Sequence, residues 1–123
     1  MNESEYRLKK IINGRGYIAE IQCKLLEERV NSKCQIDISF DTSIGLEWQQ
    51  YLKLGASLIE YHYSFVANKY LKVNISSITA FPIDTTPMMI IYVLIHAVGE
   101  LIGINPKEIV YLDEQSGNFT FLR

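Results

Sequence analysis

Between Val73 and Pro106 the chain carries only two charges, Asp84 and Glu100, and within that stretch Met88 to Val98 is apolar apart from His96. Such a run is either a membrane span or the centre of a core. It falls short of the roughly 20 apolar residues that a spanning helix needs, so it reads as a buried helix. Thr86-Pro87 supplies a start: threonine can cap the free N–H groups, and proline in the first turn loses nothing by lacking its own. Gly103 and Pro106 supply the stop. A helix lying on one sheet needs an apolar stripe of only about 100°, yet helix 87–102 is apolar on nearly every side. It must be covered twice, by a sheet and by a second helix or a second copy of the chain, which makes a homodimer through helix 87–102 one expectation.

The rest of the chain supplies the covers. Tyr17, Ala19, Ile21, Cys23 and Leu25 alternate with Glu20, Gln22 and Lys24, the pattern of a half-buried strand. Glu27 to Lys33 reads as the polar turn that ends it, and Cys34, Ile36, Ile38 and Phe40 as the apolar face of a second strand, in a hairpin with the first. Asp41-Thr42-Ser43 offers helix-starting side chains. From about Leu46 to Asn68 the periodicity is helical, with rows through Trp48, Leu52, Gly55, Ile59, His62 and Val66 and through Tyr51, Leu54, Leu58, Tyr61 and Phe65. A strand follows from Tyr70 to Ala80, with a bulge where the alternation slips at Ser76-Ser77. Ile109–Asp113 and Asn118–Leu122 read as a terminal hairpin. The order is β-β-α-β-α-β-β. Its natural packing is an α+β two-layer sandwich, a mixed or antiparallel sheet of about four to five strands with two helices on one face. Residues 1–14 read as a flexible arm and 15–123 as a single domain.

Charge and chemistry narrow the function by exclusion. Twelve Lys and Arg stand against 14 Asp and Glu, an acidic balance that argues against affinity built on neutralising many phosphates. The basic residues concentrate at Arg7, Lys9, Lys10 and Arg15. Met1–Lys10 lacks the apolar core of a secretory signal, so the chain is expected in the cytoplasm, off the membrane, with Cys23 and Cys34 as reduced core residues. The two histidines lie on different helices with no ligand spacing around them, so no metal and no cofactor is expected. Gly14-Arg15-Gly16 precedes a strand and lacks the remainder of either phosphate-loop pattern. No acid, base and nucleophile assemble, and no catalytic residue is assigned. The binding candidates are His62 and Tyr63, where consecutive rings leave Tyr63 facing solvent; the acidic Glu27, Glu28, Asp113 and Glu114; and the basic Lys9 and Lys10.

Several segments resemble domain IV of elongation factor G and of the tetracycline ribosomal protection proteins. Gly14-Arg15-Gly16-Tyr17 opens a strand that ends in Leu25-Leu26-Glu27-Glu28. Ile44-Gly45 precedes a helix carrying Gly55-Ala56. Leu71-Lys72-Val73-Asn74-Ile75 forms a strand, and Pro82-Ile83-Asp84-Thr85-Thr86-Pro87 leads into the apolar helix. The likeness covers about Arg15 to Gly103. It implies a ribosomal protein S5 domain 2-like fold and a non-catalytic binding module acting through protein or ribosome contacts, with nucleic acid met only on the ribosome. The chain departs from that family at Ala67-Asn68-Lys69-Tyr70, where the family has Gly-Tyr-Pro-Val, and keeps only Asp84-Thr85-Thr86 of its His-x-x-Asp-Ser-Ser pattern. A small acidic chain without catalytic motifs also suits an immunity protein that covers a toxin's active site, and this stands as the alternative.

Overall fold

The computed structural model describes residues 2–64, 68–81 and 83–121. The elements are β1 (Glu3–Ile12), β2 (Arg15–Val30), β3 (Gln35–Phe40), α1 (Leu46–His62), β4 (Lys69–Ala80), α2 (Pro87–Ile102), a 3-10 turn (Pro106–Glu108), β5 (Val110–Leu112) and β6 (Phe119–Phe121). The strands β1 to β4 form one mixed sheet in the order β1-β2-β4-β3, and β5 and β6 form a separate hairpin. Both helices pack on one face of the sheet, so the expected α+β two-layer arrangement is present.

Three expectations about the strands change. The stretch read as a loose arm is β1, paired with β2 from Glu3↔Lys24 to Ile12↔Arg15. Its alternation is hidden because Ser4 and Tyr6 stand where apolar residues would betray a strand, yet Ser4, Leu8 and Ile12 are buried while Glu3, Glu5, Arg7 and Lys9 are exposed. β2 and β3 form no hairpin. β4 lies between them, antiparallel to β2 and parallel to β3 through the α1 crossover. Finally, β2 does not stop at Glu27: it skips Leu26 in a bulge and continues pairing with β4 to Val30↔Lys69. The other bulge falls at Ser76, where the alternation slips.

α2 follows its signals closely. Thr86 accepts a hydrogen bond from Met89 N, Pro87 opens the helix, and Gly103 closes it at φ 86°. Its second cover comes from within the chain. Ile91 and Ile95 are buried in the single chain. The sheet lies beneath, α1 packs on one flank with Gly55 against Leu94, and Phe119 of β6 packs on Tyr92 with ring centres 5.2 Å apart. The second cover that the sequence left open is therefore supplied within the chain, and burying α2 does not require a partner.

α1 differs from its expectation at both ends. Its N-cap is Gly45, without a side-chain cap. Asp41 instead accepts from Asn74 Nδ2 at 2.8 Å, which ties the loop to β4. The helix ends at His62 rather than running to Asn68, and Phe65 and Val66 lie outside the described residues.

Candidate functional site

Chain direction gathers three connections at one end of the sheet: the β1–β2 turn, the segment leading into α2, and the β5–β6 turn. Together they line a cleft of about 750 Å³. The β1–β2 turn is Asn13-Gly14, with φ 53° and 77°. Two successive left-handed residues suit the right-handed twist of a two-residue hairpin, and Asn-Gly is the pair that adopts them at least cost.

Side chains in and beside this turn reach across to the β5–β6 turn, about 100 residues further along the chain, and lock the two together. Asn13 Nδ2 donates to the Gln115 carbonyl at 2.9 Å, Tyr17 OH donates to the Gly117 carbonyl at 2.8 Å, and Lys10 Nζ lies 3.0 Å from Glu114 Oε1. Gly117, at φ 78°, has no room for a Cβ beside the Tyr17 hydroxyl. Asp113 accepts from Gln115 N at 2.9 Å, and that backbone bond holds its carboxyl below the usual range. Across the cleft, the Asp84 carboxylate sits against Gly16, where a Cβ would meet Asp84 Cγ at 3.3 Å. Thr85 is buried and its hydroxyl donates to the Ile18 carbonyl.

The surface so built is amphiphilic. Ile83 is 93% exposed and Met88 half-buried, beside exposed Arg15, Asn13 and Asn118. Among the described residues Arg15 and Lys9 enter none of the ion pairs, whereas Arg7 is held by Glu20 at 3.3 Å.

The candidates read from the sequence fall in three places. Lys9, Lys10, Asp113 and Glu114 lie at or beside this loop end. Glu27 and Glu28 lie at the far end of β2, where Glu27 is 2.7 Å from Arg29 and Glu28 is 3.1 Å from Lys69. His62 and Tyr63 lie at the end of α1. Tyr63 does not face solvent: it is 8% exposed and donates to Glu108 Oε2 at 2.8 Å, and burial together with that bond pushes its hydroxyl up to about 12. Because α1 stops at His62, Tyr63 follows a turn instead of the helical phase. Asn13, Ile83 and Asn118 escape the sequence reading, although Asn13-Gly14 carries the strongest short hairpin signal in the chain.

The groups best suited to covalent chemistry are withdrawn into the core. Cys23 is 1% exposed and burial pushes its thiol up to about 12; Cys34 is buried as well. A thiol held this far above its usual range is not a nucleophile at neutral pH. His96 stacks on Tyr6 with ring centres 4.3 Å apart, and burial, then Lys107, bring its imidazole down to about 4. Among the described residues no group of three or more His, Cys, Asp or Glu could hold a metal, and no helix is long and apolar enough to cross a membrane.

No protein-family model matches the chain, and no curated protein matches it. Among solved structures, the crystal structure of ttk003000868 from Thermus thermophilus superimposes with a TM-score of 0.57 at 13% identity, covering 80% of this chain and 15% of that one. The likeness is one of fold, and this chain corresponds to a small part of a much longer protein.

Proposed function

We propose that the chain is a non-catalytic binding module of the elongation factor G domain IV type, which engages a protein or ribosomal partner through its loop end. The observation that supports this reading is the convergence of three connections, braced by Tyr17, Asn13 and Lys10, on an exposed surface that mixes Arg15 with Ile83 and amide side chains. A rigid scaffold that presents loops is the usual basis of a recognition surface. A central apolar group rimmed by polar ones is the usual composition. The acidic-inhibitor reading draws less support, because Glu27, Glu28 and Glu114 are each neutralised by a neighbouring cation and Asp113 is engaged in its own turn.

Co-sedimentation with ribosomes at low salt tests the proposal. The chain is expected in the ribosomal fraction, weakened by added salt, which screens Arg15, and released by Arg15→Glu combined with Ile83→Asp, which remove the exposed cation and the exposed apolar group of this surface. Absence from that fraction at low salt, with the chain folded, overturns the ribosomal reading.

A further inference from the structure

We propose that two copies of this chain pair antiparallel through the outer edges of their β1 strands, joining two four-stranded sheets into one. β1 is ten residues long and pairs with β2 on one side; among the described strands nothing pairs with its other side. An edge of that length presents a row of unmet N–H and C=O groups, which proteins normally blunt by bulges, proline or charged side chains. β1 has no proline, and its pairing with β2 runs without a register shift. Its charges are segregated instead. On the face away from the helices Glu3 and Glu5 occupy one half, and Arg7 and Lys9 the other.

This segregation is self-complementary. An isologous pair places the same edge of each copy about a two-fold axis. With Tyr6 on that axis, Glu5 of each copy faces Arg7 of the other, and Glu3 faces Lys9. The neighbouring registers that keep both helix layers on one side put the axis at Glu5 or at Arg7, so that a like charge faces itself, which destabilises a cross-strand pair. One register is therefore selected. It also extends the rows already present: Arg7 lies 3.3 Å from Glu20 and Glu3 lies 3.7 Å from Lys24. Across the junction the signs alternate, Lys24, Glu3, Lys9 in one row and Glu5, Arg7, Glu20 in the next.

Sedimentation equilibrium at low salt is expected to give twice the chain mass for the native protein. Glu3→Lys/Glu5→Lys makes the edge uniformly basic and Arg7→Glu/Lys9→Glu makes it uniformly acidic, so each variant should sediment at the single-chain mass. An equimolar mixture of the two should return to the doubled mass. A native chain that sediments singly at low salt overturns the proposal, as does either folded variant remaining double, or a mixture of folded variants that fails to associate. Should a charge variant not fold, cross-linking decides: copper phenanthroline should couple Tyr6→Cys chains on the axis and leave Glu3→Cys chains single. The reverse pattern overturns the register.

Discussion

The two helices lie on the same sheet and differ by one residue in length, yet they make opposite uses of their sequence. α2 buries eleven of its 16 residues and α1 four of its 17. α1 needs one stripe, because its far side meets water; α2 needs all sides, because the sheet, α1 and the terminal hairpin enclose it. Apolar content thus reports how many layers cover a helix, and the packed stripe alone is enough to hold α1 helical. α2 has both a threonine cap and a left-handed glycine, whereas α1 begins on an uncapped glycine.

The largest effect should separate the two helices by packing. Leu94 on α2 is fully buried and Leu54 on α1 is 47% exposed. Leu94→Ala is expected to cost about 3 kcal/mol and Leu54→Ala less than about 0.5 kcal/mol, read from urea unfolding midpoints at constant slope. Equal losses would mean that α1 is also enclosed.

A smaller effect comes from the one imidazole inside α2. His96 is held neutral, with its value lowered from 6.5 to about 4. Above pH 6.5 folded and unfolded chains carry the same neutral ring. Below it the unfolded chain takes up the proton first, so stability falls as the pH drops from 6.5 towards 4 and then levels. Partial exposure limits the loss to about 1 to 2 kcal/mol. Thermal melts across that window should show the decline in the native protein, and His96→Phe, which keeps a ring against Tyr6, should lessen it.

The caps give the smallest and most direct comparison. Thr86→Ala should destabilise by about 1 kcal/mol, whereas Gly45→Ser should add a few tenths by giving α1 the cap it lacks. The backbone at Gly45, φ −64°, accepts any residue, and only the flexible Glu47 carboxylate must move aside.

Legibility follows the range of the signal. Thr86-Pro87, Gly103, the slip at Ser76 and the terminal hairpin all act within a few residues, and each is where the sequence places it. Sheet order is hidden because alternation records which face a residue takes and not which strand lies beside it; nothing in Ile36 or Cys23 names β4 as the neighbour of both. The loop end is half visible: Lys10 and Glu114 stand out as charges, but their meeting depends on a fold that closes 100 residues. Tyr63 is misplaced when helical phase is carried past the last helical residue.

The bulge at Leu26 divides β2 into two portions with different lifetimes. Tyr17 to Cys23 alternates into the core, while every residue from Leu26 to Val30 is exposed, held by the pairing to β4 and by surface contacts such as Glu28 with Lys69 and Arg29 over the Tyr70 ring. Amide hydrogens of Ala19 and Ile21 should exchange with solvent only when the whole molecule opens, and those from Glu28 to Val30 by local fraying at a far lower free energy. One unbroken strand thus contains both the slowest and some of the fastest clocks in the protein.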